Sequence, residues 1–165
     1  MRGDLALLGG VTLMVKLYTD KESISEKVNI LDIRTNSGKF RINISVCKHL
    51  TMIMGESGVG KSYLFSVLQI LVLGGRLKNV ACINYRNTDA LSKLKSFKNQ
   101  LIVIDNSDIL LDEKQRLFIR TDINNHYLLI GRDVYALGTG PYNLGQLAIS
   151  NRGISIEYPF INLFV

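Results

Sequence analysis

The chain has 165 residues, of which 47% are hydrophobic and 21% charged, with a formal net charge of +6. That length holds one domain with a substantial core, and the composition excludes a disordered or fibrous chain. The positive balance favours anionic partners such as nucleotide, nucleic acid or acidic protein surfaces, but no lysine/arginine block is dense enough to select one.

The first apolar stretch, Leu5 to Val15, is broken by Gly9-Gly10 and Thr12, and Asp4 stands where a secretion signal carries positive charge. It reads as a strand or a start-site extension. Leu13 to Tyr18 is a candidate strand. Val28 to Ile33 and Lys39 to Ser45 alternate apolar and polar residues around Asn36-Ser37-Gly38, which predicts a hairpin with one buried face. Leu50 to Met54 is a short apolar strand that runs into a glycine-rich loop. Lys61 to Leu73 has the length and composition of a helix ended by Gly74-Gly75. Its aliphatic part is far short of the ~20 residues that span a bilayer. Next come a strand at Val80 to Asn84, a polar amphipathic helix at Asp89 to Lys98 and a buried strand at Leu101 to Asp105. A helix at Asp112 to Ile119 and a buried strand at Tyr127 to Ile130 follow. Gln146 to Ile149 and Gly153 to Tyr158 predict a closing hairpin.

No repeat or linker interrupts this order, and the prolines are Pro141 and Pro159. The expectation is one domain over residues 1–165. It comprises an antiparallel strand region at 13–45, a nucleotide-binding core at 50–133 and a C-terminal hairpin at 146–158. Short apolar strands alternating with helices predict an α/β fold with a mostly parallel central sheet flanked by helices. Cys47 and Cys82 lie on separate apolar segments without metal-type spacing. They read as small buried hydrophobes of a reducing compartment. A soluble, cytoplasmic protein without a membrane span is expected.

The loop Gly55-Glu56-Ser57-Gly58-Val59-Gly60-Lys61-Ser62 fits G-x-x-x-x-G-K-[ST] at every required position. Chance produces that in a chain of this length about once in a few hundred sequences. The loop also follows a predicted strand and opens a predicted helix, as phosphate binding requires. Glycines allow the backbone N–H groups to approach phosphate oxygens, with the helix N-terminus adding positive potential. A plain glycine turn would not explain why Lys and Ser fall in register. Gly55 to Ser62 and the adjoining Tyr63 are therefore the candidate nucleotide contacts. Lys61 is assigned to the β- and γ-phosphates, and Ser62 to Mg²⁺. Asp105, at the end of a four-aliphatic strand, is the second candidate Mg²⁺ ligand.

With these residues the chain resembles the P-loop ATPases of the additional-strand class, and within them a reduced ABC-type core. In that class a further strand separates the P-loop strand from the aspartate-bearing strand, and Tyr127 to Ile130 is the candidate. The resemblance implies an ATP- and Mg²⁺-binding protein. Three departures accompany it. Leu91-Ser92 is followed by Lys93-Leu94, so the Leu-Ser-Gly-Gly-Gln signature is absent. Asn106 stands where the family has a catalytic glutamate, and an amide cannot accept a proton from water. Gly131-Arg132 occupies the place of the switch histidine. Asp108 is the candidate substitute base. Arg132 reads either as a γ-phosphate sensor or as a solvated residue paired with Asp133.

The expected function is ATP binding with slow or partner-dependent hydrolysis, parts being supplied by a second copy or another protein. A non-hydrolysing, nucleotide-dependent binding switch is the alternative, with Asn106 to Asp112 and Asp133 to Pro141 as the loops to be ordered. A nucleoside kinase would need an arginine-rich lid, and none stands out. Lys93, Lys95 and Lys98, with Arg86 and Lys78, form either a nucleic-acid face or a solvated surface. Tyr18 and Phe40 read as hairpin core or as adenine platforms. His49 and His126 read as structural.

Overall fold

Why are the central strands apolar at nearly every position, when half-buried strands alternate? The answer lies in a sheet covered on both faces. A computed structural model describes residues 5–8, 11–19, 29–37, 40–44, 49–133, 143–150 and 153–157, with side chains at 49–133, 144–148 and 154–157. Four strands come first: β1 (Leu5–Leu8), β2 (Val11–Thr19), β3 (Asn29–Ser37) and β4 (Phe40–Ile44). Then β5 (Leu50–Met54) leads through the glycine loop into α1 (Lys61–Leu73), followed by β6 (Val80–Ile83) and α2 (Asp89–Ser92). A 3₁₀ turn (Leu94–Ser96), β7 (Leu101–Asp105), α3 (Ser107–Leu110), α4 (Glu113–Thr121) and β8 (His126–Ile130) complete the alternating part. The chain closes with β9 (Asn143–Ser150) and β10 (Gly153–Glu157).

These strands form one mixed sheet in the order β1-β2-β3-β4-β10-β9-β5-β8-β7-β6. The run β9-β5-β8-β7-β6 is parallel throughout. β10 folds back antiparallel on β9 and pairs parallel with β4, so the N-terminal antiparallel strands extend the same sheet. β8, the strand at Tyr127 to Ile130, lies between β5 and β7.

Side chains alternate across each central strand and so sort into two cores. Ile53, Val80, Val103, Leu128 and Ile130 face α1, where they meet Leu64, Phe65, Leu68 and Leu71. Leu50, Met52, Ile83, Ile102, Ile104, Tyr127 and Leu129 face the other way, against Leu91, Leu94, Leu111 and Ile119. The central apolar runs are thus accounted for on both sides.

Helix limits follow local chemistry. α1 ends where Gly75 takes a left-handed φ of 69°, with Gly74 N–H donating to Ile70 O and Arg76 N–H to Leu71 O, both at 2.9 Å. α4 starts in a capping box, Asp112 accepting from Gln115 N–H at 2.7 Å while Gln115 Oε1 accepts from Asp112 N–H at 2.9 Å.

The helix expected over Asp89 to Lys98 is broken into α2 and the 3₁₀ turn. Ser92 Oγ donates to Asp89 O and Ser96 Oγ to Lys93 O, each at 2.7 Å, so hydroxyls compete with the helical ladder. Leu91 and Leu94 are the buried residues of the two pieces, too few for a longer amphipathic helix. The hairpin predicted around Asn36-Ser37-Gly38 is also tighter than expected. β3 runs through Asn36 and Ser37, and Ser37 pairs with Phe40.

Among the described residues no helix is long and apolar enough to cross a membrane.

Candidate functional site

The loop after β5 owes its path to glycine. Gly55, Gly58 and Gly60 have φ of 152°, 90° and 87°, values that residues with a Cβ rarely adopt. Gly60 is the residue that caps α1, and no side chain caps that end. No acidic residue occupies the first turn either. The leading N–H groups of a 13-residue helix are thus left without a side-chain acceptor, which makes this end attractive to an anion.

Lys61 bends back over the loop. Its Nζ donates to Gly55 O and, at 2.7 Å, to Glu56 O. Burial, and then the nearby Arg132 charge, lower its pKa from the ordinary lysine value, against the opposing pull of Asp108, Asp105 and Glu56. The ammonium is therefore held among carbonyls in a site that already disfavours positive charge. An arriving anion relieves that situation.

Asp105 reaches the same place by strand alternation. It shares the α1-facing side of β7 with Val103, and it is 9% exposed. Burial raises its pKa, partly offset by the Asn106 backbone and the Lys61 charge. Asn106 has a left-handed φ of 52° and donates its side-chain amide to Asp105 Oδ2 at 3.1 Å. Ser107, buried, donates from Oγ to Ile130 O at 3.2 Å and so ties the end of β7 to the end of β8.

These parts surround a cavity of about 230 Å³. Ser57, Gly58, Gly60, Lys61, Ser62 and Tyr63 line it from the loop and α1. Asp105 and Asn106 line it from β7, and Ile130, Gly131 and Arg132 from β8. Of the residues expected from sequence, Gly55, Glu56 and Val59 stand behind the lining, two of them as acceptors for Lys61. Arg132 is part of the lining. Asp108 is not: its Oδ2 accepts from Arg132 N–H at 3.2 Å, and its Oδ1 is buried with no hydrogen-bond partner. Asn106, Ile130 and Gly131 were not among the expected contacts, although Asn106 and Gly131 stood at places the family resemblance marks. A Cβ at Gly131 would lie 2.9 Å from Asp108 Oδ1.

The donor set fits Mg²⁺ carried by a phosphate ligand. Ser62 brings a hydroxyl and Asp105 a carboxylate, both hard oxygen ligands on one cavity. Among the described residues no group of three or more His, Cys, Asp or Glu is placed to hold a metal ion.

Other candidates fall elsewhere. His49 and His126 lie at the other end of the parallel strands, where β5 and β8 begin. There His49 Nδ1 is 2.8 Å from Asn125 O and its Nε2 3.1 Å from Ile119 O. Lys95 covers the Phe118 ring at 6.0 Å. Cys82 packs against the α1 core, and burial pushes its thiol up to about 12. Tyr18 and Phe40 lie in β2 and β4, where side chains are outside the described set, as are Cys47 and residues 134–142.

No family model matches the chain, and no curated protein matches it.

Proposed function

We propose that this chain binds a nucleoside triphosphate, ATP with Mg²⁺, as a P-loop protein resembling a reduced ABC-type ATPase core. One observation carries the reading: the glycine loop, Lys61, Ser62, Asp105 and Arg132 converge on a single cavity at the N-terminus of α1. The position of β8 between β5 and β7 supports the additional-strand class. At about 230 Å³ the cavity is smaller than most sites that enclose a whole drug-sized ligand, and it suits a phosphate tail with the base outside.

In this reading the loop N–H groups and the α1 terminus hold the β-phosphate, and Lys61 leaves Gly55 O and Glu56 O for the β- and γ-oxygens. Ser62 and Asp105 would hold Mg²⁺, which neutralises charge on the phosphate oxygens when bound. Arg132 answers the charge of the terminal phosphate from the β8 side. Hydrolysis is slow or depends on a partner, because Asn106 offers an amide where a proton acceptor is needed. The same residue favours a second reading, a nucleotide-dependent binding switch in the cytoplasm whose product is an ordered surface around α3.

Titration with ATP and Mg²⁺ tests the claim, with turnover followed alone and with DNA or RNA. Lys61→Ala is expected to weaken binding on the order of a hundredfold through loss of a charged hydrogen-bond donor. Equal, weak binding by both proteins sinks the proposal. Affinity should also fall as pH rises through the lowered Lys61 pKa. The bound anion prefers the protonated amine, so the Lys61 contribution is complete below the free-state pKa and is lost as pH rises from there through the higher pKa of the bound state. Strong stimulation by nucleic acid would assign the lysine cluster around Lys93 a role.

A further inference from the structure

Apart from Asp105, already assigned to the metal, Asp108 is the acidic side chain nearest in sequence to Asn106, and it is the obvious stand-in for a missing base. Its surroundings give it other work. Oδ2 accepts the Arg132 backbone N–H at 3.2 Å. Oδ1 is buried against Gly131, with no hydrogen-bond partner, so close that a Cβ on that residue would lie 2.9 Å away and displace it. The side chain is absent from the cavity lining, whereas Gly131 and Arg132 both belong to it. A base must reach the water it deprotonates. This carboxylate reaches the backbone behind the cavity.

The segment that carries Asp108 is fastened on both sides. Ser107 Oγ donates to Ile130 O at 3.2 Å, immediately before the Gly131–Arg132 turn. Arg116 of α4 donates from Nη2 to Asp108 O at 3.0 Å. α3 is thus pinned to the end of β8 by two side chains and to α4 by a third.

We infer that Asp108 is a positioning residue: its carboxylate holds the Gly131–Arg132 turn and so presents the Arg132 guanidinium to the terminal phosphate. Gly131 is the counterpart, since a Cβ there would lie 2.9 Å from Asp108 Oδ1 and would push the carboxylate aside. The inference rests on the nucleotide reading above and adds a task to the same site. Discrimination between triphosphate and diphosphate depends on Asp108, although Asp108 touches neither.

The test compares Asp108→Ala, Asp108→Asn and Arg132→Ala for affinity toward ATP and ADP with Mg²⁺, and for amide hydrogen exchange at Arg132 without nucleotide. Asp108→Ala is expected to speed exchange at the Arg132 amide and to lower the ATP-over-ADP preference on the order of tenfold, as Arg132→Ala does. In Asp108→Ala, which leaves the cavity lining intact, ADP affinity stays unchanged. Asp108→Asn keeps an acceptor for the amide and restores the preference, whereas a general base would lose turnover in both variants with the preference intact. That second pattern overturns the inference, as does unchanged exchange at Arg132 in Asp108→Ala. Should Asp108→Ala fail to fold, Gly131→Ala is expected to speed exchange at the Arg132 amide from the other side of the contact, and unchanged exchange there overturns the inference. A wild-type protein that binds neither nucleotide overturns the nucleotide reading and this inference together. Binding with a preference indifferent to Asp108→Ala overturns the inference alone.

Discussion

Asn106 joins two demands at one position. Its φ of 52° is a left-handed conformation that asparagine tolerates better than most residues with a side chain, and its amide reaches the neighbouring Asp105. A glutamate there would regain a proton acceptor but would be held in a backbone conformation costing about 1–2 kcal/mol. Asn106→Glu is therefore expected to lose roughly 1 kcal/mol of stability. Asn106→Gly should stay close to wild type, since glycine enters this region freely. Denaturant unfolding measures both. Equal stability of the Glu variant and wild type would remove the backbone explanation. From the sequence, Asn106 was legible as a chemical departure, because residue type is all that a motif shows. Its backbone angle was not, because that depends on how β7 turns into α3. Asp108 was likewise legible as an acid near the site. The direction in which its carboxylate points depends on Gly131, a residue 23 positions away that a linear reading gives no reason to pair with it.

Among the elements, α1 shows how burial divides one helix. Leu68 is 1% exposed within the α1-facing core, while Leu73 at the last turn is 81% exposed. Leu68→Ala should cost about 2–5 kcal/mol through lost burial and the cavity left behind. Leu73→Ala should change stability by less than about 0.5 kcal/mol. Thermal or denaturant unfolding of the two variants distinguishes them, and similar losses would contradict the division. α1 and the central strands were readable because long apolar patterns and the flanking glycines point the same way. The segment from Asp89 to Lys98 was not. Its polar residues match a solvent face, but the two serines that divert their hydroxyls to backbone carbonyls are local competitors that a hydropathy pattern does not register.

At the scale of the molecule, strand order is set by pairings between distant residues, so composition and periodicity leave it open. The alternation of strand and helix predicts a parallel run. It does not say that β10 pairs with β4 and joins the N-terminal antiparallel strands to the same sheet. The order carries a prediction of its own. β5, β8 and β7 have neighbours on both edges and packed side chains on both faces, whereas β6 ends the sheet. Their amides should be the slowest to exchange, with β6 faster. Uniform exchange along β6, β7 and β8 would count against this order.

The placement of β8 also works as a ruler. Ile130 stands in register with Ile53, one residue before the last of β5, and with Asp105, the last of β7. The backbones of Ile53, just before the glycine loop, and of Asp105 are thus separated by two strand spacings, about 9.6 Å. Hydrogen-bonded strands hold that span nearly constant. On the proposed reading, the polyphosphate is gauged against a fixed length rather than gripped by jaws that close to fit. Any adjustment to the number of phosphates then falls to the side chains at the rim, Lys61 on one bank and Arg132 between the two.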